Sequence, residues 1–148
     1  MTSIQVEIHI ACPAPFIHEA LRQHQDWPTI APESFVEAPR EIGDRLWIRT
    51  RVTGAERVFG ARLVSFSKNR VSWDTDPLTK VSGEVTLQEM LPGETRLLFE
   101  FRYRREGMIE AVFASGDLVK RRLEDDLERL KQVLEERHAS GGPSGGEN

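Results

Sequence analysis

Apolar and polar side chains alternate from Ser3 to Ile10, which puts Ile4, Val6, Ile8 and Ile10 on one face of a half-buried strand. Cys12-Pro-Ala-Pro15 interrupts it, because neither proline can donate to a sheet ladder, whereas the first turn of a helix tolerates proline. A short helix is expected to start there, with Phe16, Ile17, Ala20 and Leu21 on one face, and Trp27-Pro28 and Pro32 close it. From Phe35 to Tyr103 the period is two. Turn signals at Pro39, Gly43-Asp44, Thr53-Gly54, Lys68-Asn69, Asp76-Pro77 and Pro92-Gly93 divide this stretch into six further strands. They are expected near 34–40, 45–53, 56–67, 70–76, 80–90 and 95–105.

Beyond Gly107 the period becomes helical. Ile109, Val112, Gly116, Val119, Leu123, Leu127, Leu130 and Leu134 step by three or four with charged residues between them. This predicts one amphipathic helix of roughly 30 residues, about 45 Å long. Residues 1–138 then form a single domain, and the Gly/Ser-rich stretch 139–148 is too poor in apolar groups to repay ordering. A sheet with one apolar face must cover it, and only the terminal helix is long enough. The predicted fold is α+β: a curved seven-stranded antiparallel sheet wrapped around a long C-terminal helix, with short helices after the first strand.

Composition narrows the function. The net charge of −4 comes from acidic and basic residues spread along the chain, which gives no phosphate-seeking surface and argues against a nucleic-acid partner. No stretch approaches the roughly 18 apolar residues of a membrane span. One cysteine, Cys12, and no secretory leader make a cytoplasmic location the expectation.

The functional question is whether the grip is solid or hollow. Leu97, Phe99, Phe101 and Tyr103 share a strand face, as do Val71 and Trp73, so an aromatic row points inward. Gly83 and Gly116 fall in phase with inward positions, where a missing side chain opens space that large neighbours either fill or leave. Periodicity alone leaves both outcomes open, since aromatic rows at this spacing also build ordinary cores.

Strand one, Ala11-Cys-Pro-Ala-Pro-Phe16, Trp27-Pro28 with Pro32, Arg70-Val-Ser-Trp73 and the terminal Asp126-Leu-Glu-Arg-Leu-Lys-Gln-Val-Leu134 together resemble the START-like helix-grip (SRPBCC) superfamily. Within it the resemblance is to the polyketide cyclase/dehydrase and lipid-transport group. It implies a deep cavity between sheet and helix that holds an apolar or aromatic small molecule. The expected lining is Phe59, Trp73, Gly83, Phe99, Phe101, Tyr103, Val112, Phe113, Gly116 and Val119.

Catalytic chemistry leaves little trace. His9, His18, His24 and His138 lack chelating spacing, so no metal site and no cofactor are expected, and all four read as surface or satisfied side chains. There is no Gly-x-Ser-x-Gly, and Cys12 reads as a small buried hydrophobe. Cyclase chemistry needs a shaped cavity and one or two proton-moving groups, for which Tyr103 and Arg62 are the candidates. Arg62 serves only if its alternation set, and not that of Phe59, faces in. Arg45, Trp47, Arg49 and Arg51 form a row that reads as a solvated outer face or as a docking surface for an acidic partner, such as an acyl-carrier protein or an anionic membrane surface. Three functions follow: a small-molecule binder or carrier, an aromatase/cyclase-type enzyme, and a protein-interaction module with a filled core.

Overall fold

The computed structural model describes residues 2–52, 55–74, 81–103 and 116–141. In chain order the elements are β1 (Thr2–Ile10), α1 (Ala14–Arg22), a 3-10 turn (His24–Asp26), α2 (Trp27–Ile30), β2 (Arg40–Ile42), β3 (Arg45–Val52), β4 (Ala55–Ser67), β5 (Arg70–Asp74), β6 (Val81–Leu91), β7 (Glu94–Tyr103) and α3 (Gly116–Ala139). The strands make one antiparallel sheet in the order β1-β7-β6-β5-β4-β3-β2. Sequence neighbours pair as a meander, and β1 closes the far edge against β7, with Ile4 opposite Phe101, Val6 opposite Phe99 and Ile8 opposite Leu97.

Local chemistry explains the boundaries. Prolines sit in the first turns of α1 and α2, where a missing N–H costs nothing. Gly43 and Gly93 adopt φ of 65° and 80° in the β2–β3 and β6–β7 hairpins, a conformation open to glycine without steric cost. The expected strand over 34–40 is corrected. Phe35 makes a single bridge to Thr50, and the regular strand begins only at Arg40, because Pro39 cannot continue the ladder. The long helix covers 24 residues, about 36 Å, and the earlier part of its expected span, 109–115, lies outside the described residues. At its other end Ser140 and Gly141 donate backbone bonds to the carbonyls of Glu136 and His138 in a turn that closes the helix.

The core lies where α3 meets β1 and the β6–β7 hairpin: Ile10, Ile17, Leu97 and Leu134 are almost wholly buried there, with Val119, Leu127 and Leu130 on the same face of α3. Polar ties fix the helix on two sides. Toward β1, Lys131 Nζ donates to the His9 carbonyl at 2.9 Å and the Ala11 N–H donates to Glu135 Oε2 at 2.7 Å. Toward the chain after α1, Arg129 Nε donates to the Ile30 carbonyl at 3.0 Å, Arg137 pairs with Asp26 at 2.6 Å, and the Ser34 hydroxyl donates to Asp126 Oδ2.

Asp126 is the costly member of this set. Burial pushes its carboxyl up to about 6 from 3.8, against the opposing pull of the Ser34 hydrogen bond and the Arg122 guanidinium. Between about pH 4 and 6 the folded chain therefore keeps a proton that the unfolded chain has lost, and stability falls as pH rises through that window. Asp126→Asn removes this dependence. The melting temperature of the native protein relative to Asp126→Asn is expected to drop across that window, by the equivalent of at most about 3 kcal/mol. A difference that does not change with pH refutes the assignment.

Candidate functional site

The concave face of the sheet is built from side chains in phase with the buried rows of β6 and β7. Trp73 pairs with Gly83, Gly83 with Phe101 and Val85 with Phe99, so the indole, both phenylalanines and Val85 share one face. Trp73 meets Phe99 edge-on, with centroids 5.6 Å apart and planes at 77°, a favourable aromatic geometry. Leu63 pairs with Trp73 and joins the same face.

Burial along this face is graded. At the α1 end, Leu87, Val85 and Leu97 are buried, Leu97 completely. Phe99, Phe101 and Trp73, farther along, are only partly buried, and Leu63 is 53% exposed although it lies on the concave side. A β-bulge between Leu63 and Ser65 follows directly, and bulges bend a strand and increase its twist. Part of the concave wall is therefore apolar and uncovered.

The fate of the individual candidates differs. Gly83 leaves no void: the Trp73 indole occupies its place, with Cζ2 and Cε2 packed where a Cβ would stand. Val119 is buried in the core of α3 and does not line open space. Gly116 is the first residue of α3. Phe59 pairs through its backbone with Ile48, and Tyr103 with Thr2 and Val81. Val112 and Phe113 lie outside the described residues. Arg62 is corrected as an interior cation: it pairs with Asp74 on the outer face at 3.4 Å, with more than half of its side chain exposed.

Titratable groups near the interior are few. The Cys12 thiol is buried and pushed up to about 11, chiefly by burial and then by the Glu135 charge, so it stays protonated and unreactive. His18 departs from the expectation of satisfied histidines. Its ring meets Phe66 edge-on at 4.4 Å, and Nε2 is buried without a hydrogen-bond partner. Helical spacing carried no signal for that, because the orphan state depends on β4, nearly fifty residues away in sequence. Among the described residues no three His, Cys, Asp or Glu side chains gather to hold a metal, and no described helix is long and apolar enough to cross a membrane. A separate groove of about 380 Å³ runs between β1 and α3 over Val6 and Leu127, but Glu7, Lys120, Glu124 and Glu128 rim it, and it shares no residue with the aromatic row.

A curved antiparallel sheet closed on a C-terminal helix, with an incompletely covered apolar wall, defines the helix-grip class. The chain belongs to the polyketide cyclase / dehydrase and lipid transport family, whose model matches residues 1–135. No curated protein matches its sequence. Among solved structures it is similar to the Zhui aromatase/cyclase from Streptomyces sp. R1128, with 20% identity and a TM-score of 0.71 over 95% of this chain and 98% of that one. It is also similar to a START superfamily protein from Mycobacterium smegmatis, with 17% identity and a TM-score of 0.65 over 91% and 95% of the two chains. The di-domain aromatase/cyclase StfQ of the steffimycin biosynthetic pathway matches at 18% identity and a TM-score of 0.67, over 93% of this chain and 46% of that one. At these identities the structures establish the fold.

The Trp73–Gly83 contact makes a direct test of this wall. Gly83→Val must displace the indole, and the expected cost is about 1–3 kcal/mol of stability together with a shifted tryptophan emission maximum. Unchanged melting and emission would show that the indole does not rest on Gly83.

Proposed function

We propose that the protein binds an apolar or aromatic small molecule against the concave face of the sheet, between β4–β7 and α3. The observation that carries this reading is Leu63, half exposed on the side of the sheet where Trp73, Phe99 and Phe101 are partly buried. Width supports it. Six inter-strand spacings make a seven-stranded sheet about 29 Å across before curvature, whereas one helix with its side chains is about 10–12 Å thick. Among the described residues α3 lies chiefly against β1 and α2, away from the wall around β4 and β5.

A guest there gains affinity from apolar area removed from water, at roughly 25 cal/mol per Å², and a flat ring fits beside the indole of Trp73. Family membership favours this reading over an interaction module with a filled core. The cyclase alternative needs an acid–base group within the same space, and with Arg62 on the outer face Tyr103 is the remaining candidate. It is tested by offering a polyketide-like substrate to a Tyr103→Phe variant: an unaltered product distribution ends it.

Titration with N-phenyl-1-naphthylamine, a neutral fluorophore, tests the binding reading. Dissociation constants on the order of micromolar are expected, weakened about tenfold or more by Leu63→Glu. Val58→Glu, on the outer face of the same strand, is expected to leave the affinity unchanged. Absence of binding, or equal affinity in both variants, overturns the proposal. Native mass spectrometry of protein from its own host then identifies the natural guest.

A further inference from the structure

The outer face of β2–β4 is built unlike the rest of the surface. Register places Arg40 opposite Trp47, Ile42 opposite Arg45, Arg49 opposite Val58 and Arg51 opposite Glu56, all with side chains away from the concave wall. Three large apolar residues are exposed there: Ile42 at 53%, Trp47 at 40% and Val58 at 52%. Around them stand Arg40, Arg45, Arg49, Arg51 and Arg62, against the carboxylates of Glu56 and Asp74. A chain of net charge −4 thus carries a local positive excess centred on an apolar patch.

The patch is also preorganised. Trp47 lies flat over Gly60, with Cη2 and Cζ3 each 3.3 Å from where a Cβ would stand, and Arg45 donates to the Gly60 carbonyl at 3.1 Å. A Cβ at position 60 would press on the indole, which would have to give by a few tenths of an ångström. Arginine and tryptophan are the residue types that carry binding energy at protein interfaces, because a guanidinium fork matches a carboxylate and a rigid indole buries area at low entropic cost.

We propose that this face docks an acidic protein segment that bears apolar side chains. Charge complementarity selects the acidic partner: five guanidinium groups surround the patch, and two of them, Arg51 and Arg62, are engaged by carboxylates on the same face. The flat seat of Trp47 favours a protein over a lipid surface, since an indole held down on Gly60 cannot project into a bilayer as an anchor.

The test uses the full chain with three probes: a labelled Glu/Asp-rich peptide carrying leucine and phenylalanine, the same peptide with lysine in place of each acid, and phosphatidylcholine vesicles containing phosphatidylglycerol. The acidic peptide is expected to bind, with affinity falling about tenfold or more between about 50 and 300 mM salt. Trp47→Ala and Arg49→Glu should each cost about tenfold or more while leaving N-phenyl-1-naphthylamine binding unchanged. Failure of the acidic peptide to bind better than its lysine counterpart, or indifference to both variants, overturns the proposal. Capture by anionic vesicles without binding of the acidic peptide overturns it too, and makes the face a lipid-binding one.

Discussion

The structure turns on a mismatch of widths. Seven strands generate more apolar wall than one helix can cover, and the helix is committed to one side of it. α3 buries Val119, Leu127, Leu130 and Leu134 against β1 and the strands beside it, so the inward residues of β4 and β5 take their cover from elsewhere or stay open. The graded burial from Leu97 to Leu63 is this mismatch written in side-chain exposure.

Polar contacts keep the helix from sliding over the gap. Lys131 and Glu135 tie it to the end of β1, while Asp126, Arg129 and Arg137 tie it to the segment from Asp26 to Ser34. Each tie ends on a backbone group or on a carboxylate with defined geometry, so the helix has one seat. Apolar packing alone is non-directional and would tolerate a shift of the helix toward β4. The raised proton affinity of Asp126 shows that part of this positioning is achieved at the expense of stability near neutral pH.

Much of this was legible in the order of residues, and the limits were physical. Alternation identified the strands other than β2, since a side-chain period of two survives any tertiary context that buries one face. Pro39 was visible as a turn signal, yet its stronger consequence, a β2 of only three residues, depends on which N–H the sheet needs at that point. Arg62 could be assigned a face only relative to Phe59, and its pairing with Asp74 across β4–β5 settled the side. Gly83 lies on the inward face that alternation predicts, but alternation leaves open whether large neighbours fill its place. Periodicity cannot see that a cross-strand tryptophan will fold over a missing side chain. The ties at Asp126 and the orphan nitrogen of His18 join segments far apart in sequence, where pattern carries no information.

One feature of the topology bears on how the chain is made. β1 leaves the ribosome before the other six strands, but its partner is β7, and Ser3 contacts Glu100 across 97 positions. Until that partner and then α3 emerge, the nascent meander holds an unpaired β7-side edge and an unlidded apolar surface. Such long-range closure is slow, and its half-finished form is prone to aggregate. The strand that completes the sheet edge is thus made before the rest of the sheet and is among the last to find its place, and chaperone dependence should concentrate in that interval.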